Sequence, residues 1–173
     1  MTDTFSPAAA VTATGIDVQN GETQRSFVRF VDVLFNSTTG LGTPVISVER
    51  FAVTEANPVT GNGTNVPIPI QSITDSSIRL DFGASGIGGS RSAGDGFYRV
   101  AVDNDGNGSA DAFYDFFRLY GDTDGNGTVE SSDRSGITED ITGDGRINSR
   151  DRRDAHRARG NAIDMALLAL LED

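Results

Sequence analysis

The sequence predicts a mainly β protein in which an antiparallel β-sandwich is followed by a small acidic region of loops and short helices. Two observations predict the sandwich. The chain has 21 glycines among 173 residues, and several short segments alternate apolar with polar side chains. Glycine permits tight turns, and alternation places the apolar side chains on one face of a strand. A third observation predicts the loop region, because Asp, Asn and Gly recur at regular spacing in the C-terminal third.

Six segments have the character of strands. The clearest are residues 77–83 and 96–103, in which every second side chain is apolar. Residues 66–73 contain Pro67 and Pro69, which cannot donate a ladder hydrogen bond, so this segment is expected at a sheet edge. The other predicted strands cover residues 11–18, 25–35 and 45–53. Because turn-rich segments separate these short strands, the pattern favours an antiparallel sandwich of immunoglobulin-like type.

The composition excludes several classes of function. The chain has 25 acidic and 14 basic residues, a net charge of −11, and no cysteine. Nucleic-acid binding needs clusters of basic residues, and disulfides or thiolate metal sites need cysteine, so we expect neither. No apolar run reaches the ~20 residues of a membrane span, and residues 1–15 lack the features of a signal peptide.

Catalysis is not expected either. The chain has a single histidine, no cysteine and no Gly-x-Ser-x-Gly segment, so the usual pairs of nucleophile and base are absent from the sequence. His156 lies among arginines in a predicted charged helix, where a solvated side chain is expected. A further helix is predicted from Asn161, as its N-cap, through the apolar end of the chain. We therefore predict a non-catalytic protein.

The stretch "GDTDGNGTVESSD" predicts a calcium site in a first loop, residues 122–133. Calcium binds six to eight oxygens, and EF-hand-type loops supply them from positions 1, 3, 5, 7, 9 and 12, with glycine at position 6 for the turn. Gly127 takes position 6, and Val129 at position 8 is expected to bridge to a paired loop. The predicted ligands are Asp122, Asp124, Asn126, the Thr128 carbonyl, Glu130 and Asp133.

A second loop, residues 140–151, repeats this pattern 18 residues later as "DITGDGRINSRD". Gly145 takes the turn position, and Ile147 matches Val129 at position 8. Thr142 offers a neutral hydroxyl at position 3, where Asp or Asn is usual, so this loop is expected to bind calcium less tightly. The predicted ligands are Asp140, Thr142, Asp144, the Arg146 carbonyl, Asn148 and Asp151.

A third loop, residues 103–115, follows the pattern less completely. Position 12 is Tyr114, and Asp115 comes one residue later. Two interpretations stay open for this loop: a third calcium site, or a hairpin turn rich in Asp, Asn and Gly. Residues 103–151 contain twelve acids and four arginines, a net charge of −8, which calcium would reduce. The candidate ligands of the third loop are Asp103, Asp105, Asn107, Ser109 and Asp111.

The first and second loops together resemble the duplicated calcium loops of type I dockerin modules. Residues 95–122 resemble the junction between a β-sandwich and a dockerin in large secreted or surface proteins of planctomycete-type bacteria. The resemblance covers residues 95 to about 160, and implies Ca²⁺ as the bound ion. It also implies recognition of a cohesin-like receptor through loop positions 10 and 11, which are Ser131, Ser132, Ser149 and Arg150. The loops here lie closer together than in a type I dockerin, so the helix after the first loop is predicted to be at most one turn.

These observations divide the chain into an immunoglobulin-like sandwich at 1–120 and a dockerin-like tandem-loop region at 121–173. The predicted function is a non-catalytic, extracellular or cell-surface calcium-binding module that supports protein–protein attachment. The cytosol holds too little free calcium for loops of modest affinity, which favours an extracellular location. Two alternatives stay open. One is a self-assembling subunit of a filament or surface layer, and the other is an adaptor for a cohesin-like receptor.

Overall fold

A computed structural model describes residues 11–37, 43–52, 63–74, 76–89, 91–135 and 137–169. Within these ranges the protein is mainly β, with two four-stranded antiparallel sheets and a few short helices. In chain order the strands are β1 (Ala13–Val18), β2 (Phe30–Phe35), β3 (Val45–Ala52), β4 (Thr64–Asn65), β5 (Ile70–Ile73), β6 (Ser77–Asp81), β7 (Gly96–Asp103) and β8 (Ala112–Arg118). The first sheet has the order β1-β2-β6-β5, and the second has the order β4-β3-β7-β8.

The two sheets share one hydrophobic core. Alternate residues of β2 and β6 from the first sheet, including Val33 and Leu80, are fully buried in it. The second sheet contributes Val48 and Val100, also fully buried, and Tyr98, whose ring stacks on Phe116 with centroids 5.1 Å apart. The alternation predicted for residues 77–83 and 96–103 is therefore confirmed as the inward face of two central strands.

Two predicted strands begin four or more residues later in the structure than predicted. The predicted strand at 25–35 begins only at Phe30, because the backbone of Arg25 bonds to the acidic region instead: its N–H donates to the Asp122 carbonyl at 2.9 Å. The segment at 66–73 becomes a strand only at Ile70, after Pro67 and Pro69. Its position at the edge of the first sheet is as predicted. Val53, the last residue of the predicted strand 45–53, lies outside the described residues.

Three short helices follow the strands: α1 (Ser131–Ser135), α2 (Ser149–Ala158) and α3 (Met165–Ala169). With five residues, α1 is little more than the single turn predicted after the first loop. Asn148 caps α2, because its side chain accepts the Arg150 N–H at 2.8 Å. The prediction of a helix capped by Asn161 is wrong. The residues after Asn161 pair with the first loop, and Asp164 accepts the Ala166 N–H at the start of α3 instead.

A second hydrophobic cluster joins the acidic region to the second sheet. Phe97 and Phe117 extend from the sheet and pack with Val129, Ala158 and Ile163 of the C-terminal region. The aromatic residues at the end of β8 thus pack the loop region against the second sheet. The proposed division of the chain at residue 120 into two domains stays a prediction. No helix of the described residues is both long and apolar enough to cross a bilayer.

Candidate metal centres

The backbone of the first loop wraps around the carboxylate of Asp122. One oxygen, Oδ1, accepts the Gly125 N–H at 2.7 Å, and Oδ2 accepts the Gly127 N–H at 2.9 Å. Gly125 and Gly127 both have positive φ, at 73° and 83°. Glycine adopts this conformation without the penalty that a Cβ would impose. The glycines therefore allow the chain to turn sharply enough for its amides to reach the first acid of the loop.

Asp133 closes the first loop from within α1. Its Oδ1 accepts the Thr123 N–H at 2.7 Å, and its Oδ2 accepts the Glu130 N–H at 2.7 Å. Carboxylate oxygens of Asp122, Asp124 and Asp133 all lie within 4.8 Å of one another. Asn126, the position-5 residue, accepts the Thr128 N–H at 2.8 Å. The structure thus brings the predicted ligands of positions 1, 3 and 12 together.

The two inner acids of the first loop are fully buried without a counter-ion. Asp122 and Asp133 are each 0% exposed, and neither has an arginine within 4.0 Å in the described part of the chain. Burial raises the pKa of Asp122 to about 6, and the charges of Asp133 and Asp124 make smaller contributions in the same direction. Hydrogen bonds from the N–H groups of Gly127 and Gly125 lower this pKa, but by less. Buried carboxylates are normally paired with a cation or coordinate a metal.

The third loop joins β7 to β8 and repeats this arrangement. Asp103 accepts the Gly106 N–H and the Gly108 N–H, each at 2.7 Å, as Asp122 does with Gly125 and Gly127. Burial alone would raise the pKa of Asp103, but these backbone bonds outweigh it and hold the pKa below its usual value. Carboxylate oxygens of Asp103, Asp105 and Asp111 all lie within 4.8 Å of one another.

Asp111 closes the third loop, which the sequence pattern did not reveal. Its Oδ2 accepts the Asn104 N–H at 2.8 Å, so an acid at position 9 does what Asp133 does from position 12. Asp115, one residue past position 12, instead forms a bidentate ion pair with Arg99 across the sheet, with both N–O distances 2.9 Å. The side chain of Asn107, another candidate ligand, accepts the Ser109 N–H of the same loop at 2.9 Å.

The second loop keeps the wrapped backbone but not the acidic cluster. Asp140 accepts the Gly143 N–H at 2.8 Å and the Gly145 N–H at 2.6 Å. Thr142 donates its hydroxyl to Asp140 at 3.2 Å, and also to the closing acid, Asp151, at 3.0 Å.

Two further features separate the second loop from the other two. Arg150 pairs with the position-5 acid, Asp144, at 3.1 Å. Of the described residues, only the first and third loops hold three acids with oxygens mutually within 4.8 Å. Weaker binding at the second loop stays a prediction, and this geometry agrees with it.

The loops do not pair through position 8, so that expectation is wrong. Val129 is 1% exposed, and its N–H donates to the Asn161 carbonyl at 2.8 Å, while Ile147 is 58% exposed. The strand-like bridge of the first loop forms between Thr128 and Ala162. The segment after α2, and not the second loop, therefore supports the first loop from this side.

A buried hydroxyl connects the beginnings of the first and second loops to the sandwich. This contact was not predicted from the sequence. Ser26 is fully buried; its Oγ donates to the Ile141 carbonyl and accepts the Gly121 N–H, each at 2.9 Å. Nearby, the Gln24 N–H donates to Glu139 at 3.3 Å. In the sequence, the polar residues at 24–26 interrupt an otherwise apolar strand pattern, and this interruption could have indicated the contacts with the loops. The start of the sandwich thus holds both loops in place.

The donor set of the loops suits a hard cation. Every candidate ligand offers oxygen from a carboxylate, amide, hydroxyl or backbone carbonyl, which is the chemistry that calcium prefers. The histidine lies elsewhere, on α2, and is exposed. No family model, curated protein or solved structure matches the chain. The assignment of function therefore depends on this geometry alone.

Proposed function

We propose that the protein is a non-catalytic, extracellular calcium-binding module in which the ion orders the acidic C-terminal loops. One observation carries the proposal. Asp122 and Asp133 are fully buried, face a common point within one loop, and have no cationic side chain within 4.0 Å among the described residues. A buried charge without compensation costs several kcal/mol, so a bound cation accounts for this arrangement.

The remaining loops extend the proposal to further ions. In the third loop, as in the first, oxygens of three carboxylates lie within 4.8 Å of one another. By this geometry the third loop ranks second, after the first loop, as a calcium site. In the second loop, Thr142 and the arginine-paired Asp144 leave less negative charge for calcium. Ligand charge tunes calcium affinity in loops of this kind. We therefore propose tight sites in the first and third loops, and a weaker one in the second.

The fold supports a module of immunoglobulin-like type. If β1 to β8 are named A, B, C, C′, D, E, F and G, the two sheets have the orders A-B-E-D and C′-C-F-G, which is the immunoglobulin arrangement. Tyr98, near the start of the F strand, donates its hydroxyl to the Gly94 carbonyl four residues earlier. Such a tyrosine corner recurs in immunoglobulin-type sandwiches. These features favour a scaffold that presents the loops.

The affinity expected of such loops supports the proposed extracellular location. EF-hand-type loops of extracellular modules have Kd values of about 10⁻⁴–10⁻³ M, well above cytosolic free calcium. At free calcium about tenfold above Kd, each site adds about 1.4 kcal/mol to folding, against a typical total of about 5–15 kcal/mol. Attachment to a cohesin-like receptor, or self-assembly into a filament or surface layer, stays a prediction from the sequence.

The test is to count bound ions by calorimetry in the parent chain, in Asp122→Asn and in Asp140→Asn. Each substitution is expected to remove one site, because it takes the central acid from one loop while keeping its shape. Asp17→Asn, an acid of β1 outside the loops, is the matched control and should keep the full count. An unchanged ion count in both loop variants would remove the proposal. An identical melting temperature with and without millimolar calcium would do the same.

A further inference from the structure

A groove of about 390 Å³ lies between α1 and α2, on the surface beside the first loop. Three arginines line it, together with a histidine, two serines and a single acid, and no apolar residue. Arg134 comes from α1, whereas Arg152 lies on α2 and Arg159 directly after it. The spacing of 152, 156 and 159 places these side chains on one face of the helix.

The three groove arginines differ from the other arginines of α2. Arg150, Arg153 and Arg157 each lie within 4.0 Å of an aspartate. In contrast, neither a carboxylate nor any other described group pairs with the side chains of Arg134, Arg152 or Arg159. In a chain with a net charge of −11, acids are plentiful, so a groove that gathers three free guanidinium groups is unusual.

The one acid of the groove does not neutralise them. Glu130 directs Oε1 toward the first loop, where Asn126 donates at 3.4 Å and Ser132 donates at 3.2 Å. With the histidine neutral, the groove residues carry three positive charges and one negative charge. The uncompensated charge therefore has the sign and position to attract an anion.

We propose that this groove binds a compact oxyanion, which is a single sulfate, phosphate or carboxylate group. Guanidinium forks match the geometry of these groups and can donate two parallel hydrogen bonds to each. Energetic centres of protein interfaces are fully desolvated pockets rich in Trp, Tyr and Arg, whereas the arginines of this groove are exposed and no aromatic residue lines it, so a peptide partner fits poorly. A long polyanion would extend over a strongly acidic surface and be repelled, so the ligand is compact.

The inference goes beyond calcium binding, because the groove arginines are not calcium ligands. The two functions meet at the helices: α1 contains Asp133 and α2 contains Asp151, the closing acids of two loops. Each acid holds the loop before its helix through backbone N–H groups. The groove and the loops therefore share two short helices and Glu130, but none of the three groove arginines is a predicted ligand of a loop.

The test is an NMR titration of the ¹⁵N-labelled chain with sodium sulfate, at constant ionic strength set by chloride. Saturable shifts are expected at amides lining the groove, and Arg152→Gln should weaken sulfate binding about threefold to tenfold. Arg153→Gln removes the same charge from the same helix but outside the groove, and should change the affinity less than twofold. The absence of saturable shifts, or equal weakening by both substitutions, would overturn the proposal.

Further titrations show which class of anion the groove prefers. They also separate the anion-binding proposal from the calcium-binding proposal. Sodium acetate tests a carboxylate in place of sulfate, and tighter binding of either ion identifies the preferred group. A sulfated polysaccharide that binds more tightly per sulfate than the free ion would contradict a compact ligand. Calcium stoichiometry is measured on the same samples. If the chain binds sulfate in the groove but takes up no calcium, only the proposed calcium function fails.

Discussion

Replacing Asp111 with asparagine tests whether the third loop is a calcium site closed from position 9. The substitution keeps the size of the side chain but removes one of three clustered charges. Losing a charged ligand costs about 2 kcal/mol, which weakens the site roughly thirtyfold. At free calcium about tenfold above the parent Kd, calcium stabilisation from this site falls from about 1.4 to about 0.2 kcal/mol. The calcium-dependent rise in melting temperature should shrink by about 2–5 °C.

Asp115→Asn is the matched control for this experiment. Asp115 is the acid nearest to position 12 in the sequence, but its side chain is 3% exposed and paired with Arg99. Its loss should destabilise the chain equally with and without calcium, because the ion pair belongs to the sheet. The assay is thermal unfolding of both variants in calcium and in calcium-free buffer, with the ion count measured by calorimetry.

The opposite pattern would refute the reasoning. If Asp115→Asn removes an ion and Asp111→Asn does not, the loop is closed from the conventional end. If neither changes the ion count or the calcium-dependent shift in melting temperature, the third loop is a hairpin turn without calcium.

Three further predictions concern the loops and their support. Burial raises the pKa of Asp122 from 3.8 to about 6 in the metal-free chain, so the metal-free fold should lose stability as pH rises between these values. Calcium titrations below pH 6 should show weaker binding at the first loop, by up to about tenfold per pH unit, because calcium must displace that proton. Thr142→Asp restores an acid at position 3 and should tighten the second site on the order of tenfold in calorimetry, whereas an unchanged affinity would contradict the proposed weakness of that loop. Ile163→Ala opens a cavity under the first loop and should lower the free energy of unfolding by about 2–5 kcal/mol in denaturant titrations; a change below 1 kcal/mol would mean that this contact does not support the loop.

Local sequence patterns predicted most of the strands and the turn positions of the acidic loops correctly. Alternation of apolar and polar residues at 77–83 and 96–103 identified two central strands, because the side-chain period of a strand is a property of the backbone itself. The spacing of Asp, Asn and Gly at 122–127 likewise placed the turn of the first loop. Each of these depends only on neighbours in the chain.

Contacts between distant residues were beyond such patterns. The apolar run at 25–35 looked like one strand, yet its first residues bond to the acidic loop region through Ser26 and Arg25. The position-8 pair was expected to join the two loops, but the segment after α2 occupies that place beside Val129. In both cases the local sequence pattern was compatible with more than one contacting segment, and only the packing of the whole chain determined which contact forms.

By itself the sequence determined the acidic character of the C-terminal region, the turn geometry of its loops and the mainly β composition of the rest. The tertiary structure decided which acids converge, because carboxylates far apart in a loop meet only once the backbone amides have wrapped around the first of them. It selected Asp111 over Asp115 in the third loop, since the ladder between β7 and β8 commits Asp115 to Arg99. It also gathered three unpaired arginines into one groove, through the packing of two helices that no local spacing specifies.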